Sequence, residues 1–147
     1  MITKENGILT KIPPEKRHTL MGEILSLMIV SEFHQPYLIN DFGTAILVPI
    51  HLNQFRVYKK NQIPIGFVSW AFFSESIAQK YKQGNYHLTY DDWTSGDQLW
   101  FIDFIAPYGD IRSMIKDLKN NIFPDKNIAN SLRFKKKGQE KKVMTFR

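Results

Sequence analysis

The sequence predicts an α+β fold, an α/β sandwich in which helices flank a mixed β-sheet, and three patterns support this prediction. Residues 55–73 are rich in aromatic and β-branched side chains and predict a β-hairpin. Residues 100–106 form an apolar run typical of a central strand that is buried on both faces. Segments with helical spacing of apolar residues lie before, between and after these strands. Helices and strands that alternate in one short chain pack in layers around a shared core.

The first predicted element is a helix over 20–33, which Thr19 can cap and which the Gln35-Pro36 step ends. One face of this helix carries, at helical spacing, Leu20, Ile24, Leu27, Met28 and Ser31. His34 therefore falls at the end of the helix, where a side chain can face a cleft. The ordinary alternative is an exposed histidine that the helix dipole stabilises.

The later elements follow from turn and capping residues. The hairpin turns at Asn61-Gln62, and the next helix begins at Ser74 or Ser76 and ends at Gly84. In order, the predicted elements are strands over 55–60 and 63–73, a helix to about 83, a loop over 91–98, a strand over 100–106, a helix over 111–122 and a basic hairpin with strands over 131–134 and 142–146. The apolar run over 46–49 favours neither helix nor strand.

Composition bounds the class of protein. The 147 residues contain no repeat or linker, which predicts one domain over 1–147. Apolar residues make up 43% of the chain, enough for a packed core. The absence of cysteine excludes a disulfide framework and a cysteine nucleophile. No apolar run approaches the ~20 residues that cross a bilayer, and the first residues lack a secretion signal, so we expect a cytoplasmic protein without stable membrane insertion.

Asp103 is the anomaly of the predicted central strand. Its neighbours in 100–106 are all apolar, and period-two alternation places Phe101, Asp103 and Ile105 on one face. A carboxylate buried there must be paired or hydrogen-bonded, because isolated burial of a charge is very costly. Two interpretations stay open: Asp103 bonds a backbone turn or a basic side chain, or it orients a histidine as in catalytic triads.

Other chemical signals are weak. The four histidines show no metal-ligand spacing, so no metal site is predicted. Neither a nucleotide-binding loop nor a Gly-x-Ser-x-Gly elbow is present. After the central strand, Tyr108 and Gly109 lead into a helix, and such a junction offers backbone N–H groups to a phosphate. The same residues equally fit an ordinary loop in which Asp110 caps the helix.

Positive charge is concentrated in residues 133–147. The formal net charge is +6, and this segment alone accounts for it, with seven basic residues and one acidic residue. The basic residues are Arg133, Lys135, Lys136, Lys137, Lys141, Lys142 and Arg147. Such a segment attracts an acidic partner (nucleic acid, an anionic membrane surface or an acidic protein), or it is only a solvated tail. The aromatic residues lie in the predicted strands rather than among the lysines, which argues against nucleic acid.

Residues 92–97 and 100–110 together resemble the signature segment of the RTX toxin-activating lysine acyltransferases. They read Asp-Trp-Thr-Ser-Gly-Asp and then Trp-Phe-Ile-Asp-Phe-Ile-Ala-Pro-Tyr-Gly-Asp. Flanking matches are Asn53-Gln54-Phe55, Ser69-Trp70-Ala71 and the spacing Ser31-x-x-His34. The resemblance covers about residues 20–125, although residues 25–30 depart from the aromatic-rich lead-in usual in the family.

The resemblance implies a fold similar to the GNAT acetyltransferases and a reaction that moves a fatty-acyl group from acyl carrier protein to a lysine of an RTX protoxin. The family's essential histidine and aspartate fall on His34 and Asp103, and its serine falls on Ser31 as catalytic support. The co-substrate would be a 4′-phosphopantetheine thioester, with no bound cofactor. The family also suggests a homodimer.

The donor is expected to dock on residues near the central strand and on the basic tail. The expected donor-binding residues are Tyr108, Gly109, Lys135, Lys136 and Lys137. Because Asp110 would repel a diphosphate, the site suits a protein-borne arm better than coenzyme A.

If the protein is a lysine acyltransferase, His34 either deprotonates the acceptor lysine or takes the acyl group first, and the sequence leaves both routes open. Rival functions are an N-acetyltransferase that uses a small acyl-coenzyme A, a basic nucleic-acid-binding module, and an inactive relative that only binds a toxin. The presence of both His34 and Asp103 argues against the last of these.

Overall fold

A computed structural model describes residues 14–134 and 141–146. The helices are α1 (Pro14–Ile29), α2 (Ile39–Asp41), α3 (Val48–Leu52), α4 (Glu75–Lys82) and α5 (Ile111–Asp117). The strands are β1 (Phe55–Lys60), β2 (Ile63–Phe73), β3 (Gln98–Ile105), β4 (Ala129–Phe134) and β5 (Lys141–Phe146). No helix in these two ranges is long and apolar enough to span a bilayer.

The five strands form one mixed sheet in the order β1-β2-β3-β4-β5. Neighbouring strands are antiparallel except for β3 and β4, which run parallel. Helix α1 and the helical segments before and after the first hairpin cover one face of the sheet, and α5 covers the other. The predicted α+β class with a mixed sheet between helices is confirmed, and the arrangement is consistent with the GNAT-like fold that the resemblance implies.

Helix α1 differs from its prediction at both ends. Thr19 lies inside the helix rather than at its cap, and its Oγ1 donates to the carbonyl of Glu15 at 3.1 Å. The helix ends at Ile29, four residues before the predicted end, and a series of turns follows. The predicted apolar face is confirmed, since Leu20, Ile24, Leu27 and Met28 are all buried. The turns after Ile29 carry His34.

The segment between α1 and the hairpin is helical throughout most of its length. A π-helical stretch, Phe42–Leu47, joins α2 to α3, and Ile46 lies fully buried in it. The apolar run over 46–49 is therefore part of a helix that packs on the sheet. Pro49 lies in the first turn of α3, directly after the π-helical stretch.

The predicted hairpin and the helix after it are confirmed. Asn61 and Gln62 both have positive φ, 51° and 66°, which matches the tight turn between β1 and β2. Ser74 is the N-cap of α4 and accepts a hydrogen bond from the backbone N–H of Ile77, so Ser74 rather than Ser76 begins the helix. Gly84 has a φ of 85° just beyond the helix, as a left-handed C-terminal position requires.

The remaining elements match in outline. The predicted loop over 91–98 contains a short 3₁₀ helix, Tyr90–Trp93, and β3 already begins at Gln98. The predicted helix over 111–122 is α5 followed by a π-helical turn, Leu118–Ile122. Both strands of the basic hairpin are present as β4 and β5, while residues 135–140 between them lie outside the described residues.

Strand β3 carries a β-bulge that changes which side chains share a face. Its pairing with β2 shifts between Val68 and Trp70, so that both Ile102 and Asp103 lie opposite Ser69. Phe101 packs against α5, whereas Ile105 packs against α1 on the opposite face. The prediction that Phe101 shares a face with Asp103 and Ile105 is therefore wrong, because the extra residue resets the alternation.

Candidate active site

The side chains of His34 and Asp103 are in direct contact. His34 Nε2 lies 2.8 Å from Asp103 Oδ1, although 69 residues separate them along the chain. His34 comes from the turns after α1, and Asp103 from the bulge in β3. Both are buried, with 9% and 4% of their surface exposed. Of the two interpretations of Asp103, the structure therefore has the carboxylate facing a histidine.

Ser31 completes a line of three polar side chains. Its Oγ lies 2.6 Å from Nδ1 of His34, the nitrogen that faces away from Asp103. The local backbone fixes this arrangement, because the N–H groups of His34 and Gln35 both donate to the carbonyl of Ser31. The side chain of Gln35 folds back and donates to the carbonyl of Ile29, which ties the turn to the end of α1.

Tyr37 is a further donor to Asp103. Its hydroxyl lies 2.9 Å from Oδ1, the same oxygen that faces His34, and its ring lies 5.2 Å from the imidazole. Burial raises the pKa of Tyr37, and the adjacent Asp103 carboxylate raises it further. The hydroxyl therefore stays protonated at neutral pH and donates to the carboxylate.

A hydrogen bond to the neighbouring strand β2 holds the backbone of Asp103 in place at the bulge in β3. Ser69, fully buried on β2, accepts a hydrogen bond from the backbone N–H of Asp103 at 3.1 Å. This contact satisfies a backbone group that the interrupted ladder would leave unpaired. The second carboxylate oxygen, Oδ2, is buried with no hydrogen-bond partner among the described residues. An unpartnered buried oxygen is uncommon and typical of functional sites.

The contacts determine how the imidazole works. A carboxylate only accepts hydrogen bonds, so the His34 nitrogen that faces Asp103, Nε2, carries the proton. Nδ1 is then the acceptor, and the Ser31 hydroxyl donates to it. Because the carboxylate fixes the tautomer, the basic lone pair of the imidazole is on Nδ1. This arrangement can accept a proton at Nδ1 and stabilise the resulting imidazolium through Asp103.

A cavity of about 730 Å³ opens beside these groups. Its volume lies within the ~300–1,000 Å³ usual for small-molecule sites. Strands β3 and β4 form one wall, where their pairing stops after Phe101 and Ser131 and the strands separate. Charged lining residues in the described ranges are Glu32 and Asp103, with no lysine or arginine. The same ranges contain no group of three side chains suited to a metal ion.

Tyrosines form another part of the cavity wall. Tyr81 of α4 packs on Phe73 and Trp100, and burial, followed by the charge of Asp103, raises the pKa of its hydroxyl. The Tyr86 hydroxyl donates to Asp92 at 2.7 Å, and the same carboxylate oxygen accepts from the backbone of Thr89. The first half of the signature thus supports the cavity wall.

The central signature residues also have structural contacts. Gln54 donates to the carbonyls of Trp70 and Trp93, which joins the start of β1 to β2 and to the signature loop. Ser95 accepts from the backbone N–H of Ser74, and Gly96 donates to the carbonyl of Phe72. These contacts anchor the loop that leads into β3.

Neither Tyr108 nor Gly109, two of the predicted donor-binding residues, is among the residues that line the cavity. Tyr108 is 61% exposed, Gly109 has a φ of 89°, and both lie in the loop after β3, beside the cavity-lining residues Pro107 and Ile111. Lys135, Lys136 and Lys137 lie outside the described residues. The donor-binding assignment stays a prediction for all five.

Sequence reasoning missed Tyr37, Ser69 and Tyr81. Tyr37 lies three residues after His34, the same spacing that separates His34 from Ser31, and this could have drawn attention to it. Ser69 belongs to a flanking match but gave no sign of its contact with a backbone 34 residues away. Tyr81 looked like an ordinary helix residue, and only the fold brings it beside Asp103.

Comparisons with known proteins point to one family. The sequence profile of the RTX toxin acyltransferase family matches residues 13–147. The chain is 37% identical over 123 residues to an uncharacterised protein of Synechocystis, covering 82% of this chain and 83% of that protein.

Other relatives have names that state an activity. The RTX-I toxin-activating lysine-acyltransferase ApxIC of Actinobacillus pleuropneumoniae is 37% identical over 106 residues, which covers 72% of this chain and 61% of that protein. The protein-lysine myristoyltransferase HlyC of Escherichia coli is 32% identical over 127 residues, which covers 86% of this chain and 74% of that protein.

Proposed function

The chain belongs to the RTX toxin acyltransferase family, and from this premise we propose that it moves a fatty-acyl group from acyl carrier protein to the ε-amino group of a lysine in an RTX protoxin. Relatives that are named as protein-lysine acyltransferases support the reaction class. The single observation that carries the mechanism is the Ser31–His34–Asp103 line beside an open cavity. We place the reaction in the cytoplasm, where acyl carrier protein is available.

The acceptor chemistry requires a base. A lysine side chain is an ammonium at neutral pH, because its unperturbed pKa is ~10.4, and it cannot attack a thioester in that form. Nδ1 of His34 is the acceptor nitrogen of the site, so it takes the proton. Asp103 keeps the imidazole in this tautomer and stabilises the imidazolium, while Tyr37 holds the carboxylate in position.

The transfer step balances without a cofactor. The ammonium first loses one proton through Nδ1 of His34 to solvent. The free amine then forms a bond to the acyl carbon, the C–S bond of the thioester breaks, and the second proton that the nitrogen loses moves through Nδ1 to the departing thiolate. Ser31 occupies Nδ1 in the resting site, so the amine must displace its hydroxyl or pass the proton through it. General acid–base catalysis of this kind contributes roughly 10²–10⁴-fold.

His34 could instead accept the acyl group itself, since a neutral imidazole nitrogen is also a nucleophile. The two routes differ in one observable. If the enzyme is mixed with acyl carrier protein that carries a radiolabelled acyl group, and no acceptor is added, His34 becomes labelled only if the acyl-histidine route operates. We expect no such label, because Nδ1 lies against the Ser31 hydroxyl.

The long-chain thioester fits the cavity better than a coenzyme A does. The lining in the described ranges has no lysine or arginine, which a diphosphate would need nearby, and Asp110 lies at the start of α5. Apolar lining side chains such as Ile102, Phe104 and Leu132 suit an alkyl chain. The basic tail, including Lys135, Lys136 and Lys137, would hold the acidic carrier protein.

Mass spectrometry of a candidate RTX protoxin co-expressed with this protein tests the proposal. We expect acylated lysine with the wild type and none with His34→Ala or Asp103→Ala. The donor is tested separately by comparing long-chain acyl carrier protein with acetyl-coenzyme A. Turnover with acetyl-coenzyme A alone would overturn the donor assignment and favour a small-acyl N-acetyltransferase.

Charge reversal at Lys135, Lys136 and Lys137 tests the docking of the carrier protein. We expect weaker binding of the donor and a flatter dependence of that binding on salt, because fewer ion pairs form. An unchanged affinity would remove the tail from donor binding and leave the catalytic pair unaffected.

A further inference from the structure

The end of α1 and the turns after it expose an unusual number of large apolar side chains. Ile29, Val30, Phe33, Leu38 and Ile39 are all exposed, Phe33 by 48% and Ile39 by 90%. Val30 and Phe33 also line the cavity that contains His34, so this apolar surface continues into the candidate active site. We call these five residues the apolar rim. Exposed apolar surface beside a cavity is typical of a binding surface.

The same region is acidic. Residues 18–55 contain Glu23, Glu32 and Asp41 and no lysine or arginine. Glu23 is neutralised by Lys59, whose Nζ lies 2.7 Å from it, and Asp41 accepts from the backbone N–H of Leu38. Glu32 is exposed at the cavity and has no ion-pair partner among the described residues. The mouth of the site therefore combines apolar surface with one available carboxylate.

Resting on the function proposed above, we infer that the apolar rim and Glu32 receive the acceptor, a segment in which a lysine is flanked by apolar residues. The ammonium of that lysine is complementary in charge to Glu32, and its apolar neighbours are complementary to the rim. An acidic carrier protein would be repelled by the same carboxylate. The two substrates therefore approach on surfaces of opposite charge, the acceptor here and the donor at the basic tail.

Glu32 acts before the chemical step. It attracts the charged ammonium to the cavity mouth, and the proton is lost only at His34, deeper in the site. Loss of the Glu32 charge should therefore raise the KM for the acceptor and leave both kcat and the KM for the donor nearly unchanged. A role in folding would change neither KM selectively.

Binding of labelled peptides, followed by fluorescence anisotropy, tests this inference without depending on turnover. One peptide carries a lysine between leucines, a second replaces that lysine by norleucine, and a third replaces the leucines by glutamates. We expect the wild type to bind the first most tightly. Glu32→Gln should weaken its binding about three- to fivefold, to the level of the second peptide, as expected for a partly exposed ion pair.

Matched variants separate the two parts of the surface. Glu15→Gln removes an exposed carboxylate from the first turn of α1 and should have no effect. Phe33→Asp and Ile39→Asp should weaken the first two peptides alike, whereas Ile63→Asp, at the exposed first residue of β2, should not.

Equal affinity of the wild type for the lysine and norleucine peptides, or full binding by Glu32→Gln, would overturn the role of Glu32. Loss of carrier-protein binding in Phe33→Asp would instead assign the rim to the donor, and a dimer that Ile39→Asp dissociates would assign it to a second copy; either result overturns the inference. Selective peptide binding without acyl transfer to any protein would refute the proposed function while leaving this surface as a lysine-binding site.

Discussion

The Ser31 hydroxyl donates a hydrogen bond to Nδ1 of His34, with its Oγ 2.6 Å from that nitrogen. Because Nε2 contacts Asp103, both ring nitrogens of His34 have a hydrogen-bond partner in the resting site. An incoming amine has to compete with Ser31 for Nδ1. The serine is therefore either displaced by the amine or passes the proton on to Nδ1. The size of its contribution to kcat distinguishes both of these roles from that of a nucleophile.

Ser31→Ala should lower kcat by about tenfold or less, because the variant loses one hydrogen bond worth ~0.5–1.5 kcal/mol and keeps the base. Steady-state kinetics with a long-chain acyl carrier protein and a protoxin measure this. Ser26→Ala is the control, since the exposed Ser26 hydroxyl donates to the carbonyl of Glu23 within α1 and its loss also removes one serine hydrogen bond. A loss as large as that of His34→Ala would mean that Ser31 takes part in covalent chemistry.

Asp103→Asn should lower kcat by roughly 10²–10⁴-fold, because the amide cannot stabilise the imidazolium and can hold the wrong tautomer of His34. The side chain keeps its size, so we expect a folded protein with a cooperative unfolding transition. Asp117→Asn is the matched control: Asp117 accepts from the Tyr58 hydroxyl at 2.7 Å and pairs with Arg56. That variant should lose stability and retain kcat; similar kinetics in the two variants would contradict the role of Asp103.

Tyr37→Phe should move the acidic limb of the kcat/KM profile to higher pH. The Tyr37 hydroxyl shares the charge of the Asp103 oxygen that faces His34. Without it, the full charge of that oxygen faces the imidazole and stabilises the imidazolium more strongly. Burial and Asp103 raise the pKa of Tyr37 itself, so this hydroxyl does not titrate in the range measured.

The other groups near Asp103 should not mimic this shift. Tyr81 faces the same carboxylate and its pKa is also raised by burial, while Glu32 and Tyr86 line the cavity and are unchanged in the variant. Tyr58→Phe is the control, because it removes an equivalent tyrosine-to-aspartate hydrogen bond on the opposite face of the sheet. A lower rate for Tyr37→Phe with an unmoved profile would leave Tyr37 only a packing role.

The contact between His34 and Asp103 was easier to predict from the sequence than the residues around it. Asp103 stood out because burial of a charge in an apolar strand needs a partner, and this argument depends only on local composition. His34 was less distinctive, and the predicted helix end at 33 misplaced it by merging its turn with α1. The family signature supplied the pairing, which no local pattern encodes across 69 residues.

The prediction for β3 failed where the strand is irregular. Alternation holds along regular strands, but the bulge opposite Ser69 inserts one residue and turns Phe101 away from Asp103. The π-helical stretch Phe42–Leu47 was missed for a similar reason, since apolar spacing predicts regular helices and not widened turns. Both irregular segments adjoin the cavity, through Asp103 and Ala45.

Gly96→Ala should destabilise the protein by about 1–3 kcal/mol, because a Cβ at this position would overlap the backbone of Phe73 and Ser74, which cannot move aside as a flexible side chain would. Gly22→Ala is the matched control within α1. A Cβ there meets nothing within 4 Å in the described structure, and alanine is the better helix former, so stability should rise by about 0.5–1 kcal/mol. Urea denaturation of both variants measures the two changes. Since Gly96 anchors the loop before β3, Gly96→Ala should also lower kcat; equal stability of the two variants would show that the signature loop is not held against β2.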